Sequence, residues 1–317
     1  MEATSKIPKL GKKSKWEIFK GRLLRERECW FWAILFIVWW VIFFLIPIYG
    51  IVYAFFDYVP GRQLTWDRFV GFKHFISFFE SKDAVRILRN TVVISSLNMT
   101  IGFVAPIILA LLLDELRQGP FKKIVQTISY LPYFVSWVVV ASLVISMLNS
   151  EGVVNEVLLS LGLVDKPVKF LTDGKYFWGM ITAVSIWKSL GWDTILYISA
   201  ISGIDQTLYE AGAVDGITRW GMVKYITLPS IMPTIVMLFI LGIGNFLNLG
   251  YEANLLLGQA TTRAYWETVD TYVYRYGIQK GRYSFSIAIS LMKSLIGLLL
   301  VLVSNKIAKT FTDYSII

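Results

Sequence analysis

Long apolar runs constrain this chain more than any other feature of its sequence. Crossing the hydrocarbon core of a membrane takes about 20 helical residues, and six stretches are long enough. Charged residues make up 17% of the 317 residues, below the roughly 25% that is usual for soluble proteins. The sequence therefore predicts an all-α, polytopic membrane protein with six transmembrane helices. We place these near residues 30–55, 87–113, 125–147, 177–201, 231–249 and 285–307.

The charge pattern predicts the orientation of these spans. Residues 1–28 carry nine Lys and Arg against four acids, and no small-residue cleavage site lies in the apolar run that follows. That run is too long for a signal-peptide core, so we expect an uncleaved first span and a cytoplasmic N-terminus. Lys and Arg number 16 in the 80 residues of the expected cytoplasmic segments and 12 in the 92 residues of the outer ones. We therefore expect a multi-pass protein of the cell membrane, with both termini in the cytoplasm.

The same composition predicts two domains and argues against several kinds of functional site. We expect a basic cytoplasmic arm at residues 1–29 and a six-helix membrane domain at 30–317. The net charge of +9 suits anionic lipids rather than nucleic acid. Cys29 is the one cysteine and His74 the one histidine, and no GxxxxGK[ST] motif occurs. We expect no enzyme activity, metal or cofactor in this chain, and a solvated or interfacial His74 without a special role.

One polar insert, at residues 202–230, separates the fourth and fifth runs. Asp205 is placed to cap a short helix, and Asp215-Gly216 is a turn signal. Thr218 is placed to cap a second short helix, and prolines then lead into the fifth span. The pattern predicts a helix–turn–helix on the cytoplasmic face. It could rest on lipid headgroups, but its few basic residues favour a protein surface.

The insert also resembles a known motif. Glu210-Ala211-Gly212, then Gly216, then Ile226-x-Leu228-Pro229 is similar to the EAA loop of ABC importer permeases. Gly212 stands where that family usually has alanine. The similarity runs from about residue 90 to the C-terminus and is strongest to the sugar branch, the maltose-type subunits and permeases of the polysaccharide LplB type. The segment VDTYVYRYGI at 269–278 contributes to it.

This resemblance implies a type I importer permease (MetI-like) fold and a set of partners. Those are a second, similar permease in a heterodimer, two cytoplasmic ATPase subunits that bind ATP-Mg, an extracellular solute-binding protein and an oligosaccharide. The loop would be the coupling helix that docks on the ATPase, with Glu210 in contact and Gly216 at the turn. The coupling positions are Glu210, Ala211, Gly212, Asp215, Gly216, Ile226, Leu228 and Pro229.

Polar and aromatic residues inside the spans indicate where a sugar could bind, since polar groups in a membrane are costly without partners. One face of the fourth span carries two serines, a lysine and a tryptophan. An asparagine pair lies in the fifth span, and two aromatics follow the Leu131-Pro132 kink signal in the third. The resemblance implies sugar-facing positions at these places. The candidate substrate residues are Tyr133, Trp137, Ser185, Lys188, Ser189, Trp192, Asn245 and Asn248.

Several polar and aromatic residues of the spans and outer loops have alternative roles. The tryptophans could be interface anchors and the asparagines could only bridge helices. Lys188, a substitution within the family, could meet an acidic sugar or an acid of the partner subunit. Lys293 could snorkel outward or line the path, and we expect Asn98 to serve helix packing. The outer aromatics could contact the binding protein or form an aromatic belt; they are Tyr265, Trp266, Tyr272 and Tyr274.

The function has three alternatives. Within the family, the solute could instead be a peptide, phosphate or a metal chelate. An ion-driven secondary transporter would need no ATPase, but its usual marks are inverted repeats and broken helices, and the sequence pattern indicates neither. A receptor or scaffold would have the loop without a polar pathway.

Overall fold

The computed structural model describes residue 16, residues 26–117 and residues 119–311. The basic arm at 1–29 lies almost wholly outside these residues and stays a prediction. The chain forms two compact units, Met1–Val52 and Tyr53–Ile317. In the first unit, helix α1 begins at Arg27. It consists of an α segment at Arg27–Trp40, a π turn at Val41–Leu45 and a short α segment at Ile46–Ile48. Its apolar side chains are exposed on all sides, as expected for a helix that meets lipid.

In the described residues of the second unit the regular secondary structure is helical, and an isolated bridge between Phe56 and Phe69 is the only β-type pairing. The prediction of an all-α chain is confirmed. The helices that follow are α2 (Lys73–Phe79), α3 (Ala84–Asp114), α4 (Pro120–Phe134), α5 (Trp137–Leu148), α6 (Val153–Ser160), α7 (Phe177–Ser202), α8 (Gln206–Val214), α9 (Arg219–Gly244), α10 (Glu252–Leu257), α11 (Arg263–Trp266), α12 (Val269–Tyr274) and α13 (Tyr283–Phe311).

Five helical segments of the described chain are long and apolar enough to cross a membrane. The predicted fourth span, α7, falls outside that set because it is less apolar, with Lys188 and Asp193 near its middle. At 26 residues it is about 39 Å long, which is enough to cross. It supplies the sixth helix. The five are Glu28–Phe55, Ala84–Asp114, Trp137–Ser160, Arg219–Gly244 and Tyr283–Thr310.

The third span differs from the prediction. One helix was expected at 125–147, but the chain forms α4 and α5 with a break at Val135 and Ser136, both of which have extended backbone angles. Ser136 caps the new helix by accepting a hydrogen bond from the Val139 N–H at 3.4 Å. The expectation that the spans contain no broken helix is therefore wrong.

The fifth span also differs at both ends. The second short helix expected after Thr218 is not separate, because α9 runs without interruption from Arg219 to Gly244. A π turn at Val223–Thr227 ends two residues before Pro229. It shifts the hydrogen-bonding pattern there, so the proline does not end the helix. At its other end, α9 stops at Gly244 rather than at residue 249.

Three membrane helices pack around one buried cluster, in which α3, α7 and α9 meet. Its members include Ala110, Tyr197 and Ile231. Helix α7 also lies very close to α4, because a Cβ placed on Gly191 would be 2.1 Å from the carbonyl oxygen of Ser129. Small residues allow this kind of close helix contact in membranes. This contact holds α4 beside the middle of α7.

The outer segment between α9 and α13 folds back onto α3. The carboxylate of Glu267 is fully buried and pairs with Arg86, Arg263 and Arg275. The Asn90 side chain donates to the carbonyl oxygens of Ala264 at 3.0 Å and Glu267 at 3.1 Å. This segment is therefore a fixed part of the second unit.

This packing corrects two expectations about the outer loops. Trp266 is 6% exposed and Tyr272 2% exposed, so these two rings are core residues rather than belt or docking residues. Burial raises the pKa of Tyr272 to about 12. His74, expected to be solvated or interfacial, is buried, with its Nε2 3.2 Å from the Phe56 carbonyl oxygen and 3.3 Å from an Asp57 carboxylate oxygen.

The contact at Gly191 predicts a stability difference between two glycines of the same helix. We expect Gly191→Ala to lower the free energy of unfolding by about 1–3 kcal/mol, as overpacking against a rigid neighbour does. Gly179→Ala is the matched control, since a Cβ there meets no atom within 4 Å. Thermal unfolding of the purified protein in detergent measures both. Equal melting temperatures for the two variants would contradict the prediction.

Candidate functional site

The polar loop consists of α8 and the turn that joins it to α9. The Asp205 carboxylate begins α8 by accepting a hydrogen bond from the Thr207 N–H at 3.0 Å, which holds the pKa of Asp205 below its usual range. Gly216 makes the turn with a φ of +71°, which glycine adopts without strain. The Thr218 hydroxyl accepts from the Gly221 N–H at 3.2 Å where α9 begins. Both predicted caps and the predicted turn are confirmed.

The surface of this loop combines one carboxylate with several apolar side chains. Glu210 is exposed, and Trp220 is 82% exposed. Leu208 and Val214 are also exposed. The loop therefore presents large apolar side chains beside a carboxylate to its surroundings.

The other motif positions divide between the surface and the interior. Ala211, Asp215 and Pro229 are exposed. Ile226 and Leu228 instead pack inward, against the cluster where α3, α7 and α9 meet. These two residues hold the loop to the membrane helices.

Two close contacts join α8 to α9. The Tyr209 and Thr227 hydroxyl oxygens lie 2.8 Å apart, and burial raises the pKa of Tyr209, which keeps its proton available for this bond. Gly212 is buried, and a Cβ there would lie 3.0 Å from Ile226 Cδ1 and 3.1 Å from Met222 Sδ. The departure from the family's usual alanine thus accompanies a tight fit between the helices.

A polar cavity of about 400 Å³ lies between α3, α5, α7 and the end of α9. Asn245 and Asn248 meet in the turn after α9, where the Asn248 amide donates to Asn245 Oδ1 at 3.3 Å. The sequence placed this pair on a helix face, whereas the structure places it at a helix end. The polar and aromatic lining comprises Ser95, Asn98, Trp137, Ser185, Ser189, Asp193, Phe246 and the two asparagines.

Two predicted aromatic residues do not line this cavity. The rings of Tyr133 and Trp192 stack on each other, with centroids 4.5 Å apart and an angle of 4° between their planes. Phe134 packs edge-on against both rings. The three form an aromatic group on the other side of the break, and their contact with a substrate stays a prediction.

Lys188 has structural partners that the sequence did not reveal. Its ammonium donates to the carbonyl oxygens of Tyr133 and Val135 at 2.7 Å and of Pro132 at 3.2 Å. An ammonium has three N–H donors, so these carbonyls account for all of them. The last turn of a helix leaves carbonyls without intrahelical partners. Lys188 therefore caps α4 where the third span breaks.

Asp193 lines the cavity and was missed by the sequence analysis. It continues the stripe of Ser185 and Ser189 by one further turn of α7, at the same spacing of four residues. Following that spacing would have found it. Asn98, expected to serve only helix packing, also lines the cavity.

A family model matches the chain over residues 102–313. Its description is "Binding-protein-dependent transport system inner membrane component". Two curated relatives come from Bacillus subtilis (strain 168). "Protein LplB" is 41% identical over 90% of this chain and 90% of its own length. "Polygalacturonan/rhamnogalacturonan transport system permease protein YteP" is 39% identical over 96% of this chain and 95% of its own.

Two solved structures are similar to this one. A chain of a bacterial ABC transporter involved in the import of the acidic polysaccharide alginate has a TM-score of 0.82 and 36% identity. A chain of the alginate transporter in complex with an alginate pentasaccharide-bound periplasmic protein has a TM-score of 0.84 and 37% identity. Both alignments cover 93% of this chain and 99% of the matched chain.

The cap on α4 predicts that Lys188 contributes to stability. We expect Lys188→Met to lower the free energy of unfolding by about 1–3 kcal/mol, because it removes this donor from the part-buried carbonyl oxygens of Tyr133 and Val135. Lys123→Met removes the same charge from an exposed position of α4 and should have little effect. Thermal unfolding in detergent compares the two. Unchanged stability of Lys188→Met would show that the cap is not needed.

Proposed function

This chain belongs to the family of inner membrane components of binding-protein-dependent transport systems, and from that premise we propose that it takes up an oligosaccharide. The chain is a multi-pass permease subunit of an ABC importer. The proposed substrate reaches it from an external solute-binding protein, and ATPase subunits supply the energy. The cavity at Asn245 and Asn248 is the observation that carries the choice of substrate.

The cavity has the chemistry that a sugar needs. Amide, hydroxyl and carboxylate groups from Asn245, Asn248, Ser189 and Asp193 can bond ring hydroxyls, and Trp137 offers a flat apolar face. The similar proteins support this choice, since one is named for polygalacturonan and rhamnogalacturonan transport and another imports alginate.

The proposed assembly has four kinds of partner. They are a second permease that completes a heterodimer, two cytoplasmic ATPase subunits, an external binding protein and the lipid bilayer. The alginate transporter in complex with its periplasmic protein supports the external binding protein as a partner. ATP-Mg binds to the ATPase subunits, and this chain itself carries no cofactor. Both termini lie on the cytoplasmic side, together with the polar loop.

The polar loop is the proposed coupling element. When ATP closes the ATPase dimer, the loops of the two permeases move together and the spans turn toward the outside, where the sugar enters the cavity. Glu210 and the exposed Trp220 meet the ATPase, while Ile226 and Leu228 transmit the movement inward. Because binding equilibria are linked, ATP and the loaded binding protein should affect each other's affinity reciprocally.

The break between α4 and α5 is of a kind that also occurs in ion-coupled secondary transporters, but the family match and the similar ABC transporter structure assign this chain to the importers. Uptake into proteoliposomes separates the two. An importer of this family needs internal ATP and its ATPase subunits, whereas a secondary transporter needs only an ion gradient. Uptake assays with labelled peptide and labelled phosphate test the other solutes that permeases of this family could carry.

The coupling proposal predicts the effect of reversing one charge. We expect Glu210→Lys to abolish ATP-driven uptake by the reconstituted transporter, because a cation replaces the carboxylate that faces the ATPase. The variant should fold, since Glu210 is exposed. Glu151→Lys reverses an exposed charge outside the loop and is the control. Normal uptake by Glu210→Lys would remove this residue from the coupling surface.

The cavity proposal predicts a loss of transport without a loss of assembly. We expect the double variant Asn245→Leu/Asn248→Leu to lower sugar uptake at least about ten-fold, because each lost polar contact costs about 1 kcal/mol or more. Copurification with the ATPase should persist. Thr100→Val removes an exposed hydroxyl of α3 that bonds only within its own helix, and it should transport normally. Full uptake by the double variant would exclude Asn245 and Asn248 from the substrate-binding site.

A further inference from the structure

A second cavity adjoins the first at Asn248, which lines both. It also has a volume of about 400 Å³ and lies between the chain after α9, α12 and α13. Its lining includes Tyr251, Tyr274, Asp270 and Lys293. A solute that reaches the asparagine pair is therefore next to this second cavity.

Two tyrosines give this cavity a flat aromatic wall. The rings of Tyr251 and Tyr274 stack with centroids 4.3 Å apart and an interplanar angle of 7°. Tyr251 is 39% exposed, so the pair can still accept a ligand. Flat aromatic surfaces pack against the apolar faces of sugar rings while their hydroxyls bond the edges.

Lys293 is the cation of this cavity and differs from Lys188 in its partners. The Lys293 ammonium pairs with Asp270, which is its one partner among the described residues. An ammonium has three N–H donors, so two remain. The oxygens of Asp270, by contrast, are both engaged, since Oδ2 also accepts from the Gly250 N–H at 2.9 Å. Each Asp270 oxygen thus accepts one hydrogen bond, and the ammonium is the group of this pair that can still donate.

We propose that Lys293 binds a carboxylate of an acidic oligosaccharide whose ring packs on Tyr251 and Tyr274. This inference rests on the proposed function and narrows its substrate class. Asp270 positions the ammonium and opposes the incoming anion, so the site admits a carboxylate only through the free donors of Lys293. A charged residue within a span is expensive and is retained where it serves a pathway.

The test uses the complete reconstituted transporter with trigalacturonate as the acidic probe and maltotriose as the neutral one. We expect Lys293→Met to lower trigalacturonate uptake about ten-fold, the loss expected for one charge-assisted hydrogen bond. Lys293→Arg should restore most of it. Asp270→Asn should raise it, because the opposing charge is gone while the amide oxygen can still accept from the Lys293 ammonium or the Gly250 N–H.

Lys306→Met removes a charge from an exposed position of the same helix and is the matched control. The double variant Lys293→Met/Asp270→Asn removes both charges, so it leaves no unpaired buried charge that could cause misfolding. It should also transport trigalacturonate poorly. The binding protein is the same in every arm, so ratios of variant to wild type report on the permease.

The outcomes separate the inference from the proposed function. If wild type imports maltotriose but not trigalacturonate, or if Lys293→Met lowers uptake of both probes equally, the acidic site is wrong and sugar import stands. Equal losses in Lys293→Met and Asp270→Asn would show that the pair is only structural. If wild type imports neither probe, the proposed function fails as well.

Discussion

The three bonds from the Lys188 ammonium to the end of α4 support the rest of the membrane structure. A helix that ends inside hydrocarbon leaves carbonyls that water cannot reach, and each one is costly. Lys188 supplies the missing donors from a neighbouring helix, and Gly191 lets that helix approach closely. The break in the third span and the charge in the fourth are therefore one feature. Each would be unfavourable without the other.

The break decides which aromatic residues can reach the cavity. In an unbroken helix Tyr133 and Trp137 would share one face, because they are four residues apart. The extended residues Val135 and Ser136 separate them. Trp137 then faces the serines of α7, and Tyr133 stacks on Trp192. A single kink thus changes the composition of the proposed sugar site.

Local signals were predictable from the sequence, and contacts between distant residues were not. The caps at Asp205 and Thr218 and the turn at Gly216 depend on neighbours within a few residues, and all three are as predicted. Five of the spans follow from apolar length. Lys188 and its carbonyl partners are more than 50 residues apart, so no local pattern reveals them. The expectations for the aromatic residues of the outer segment were wrong for the same reason. Trp266 and Tyr272 are buried in a segment that folds back onto α3, where Glu267 pairs with distant arginines.

The course of α9 gives the proposed coupling a physical basis. This one helix begins in the polar loop at Arg219 and ends at Gly244, directly before Asn245. Its 26 residues span about 39 Å, so the proposed coupling loop and the asparagine pair are two ends of the same element. The Tyr209–Thr227 bond and the Gly212 contact fix α8 to its first turns. In the proposed coupling, a displacement of the loop would tilt or shift α9 as a body, and this would change the cavity without any longer chain of side-chain contacts.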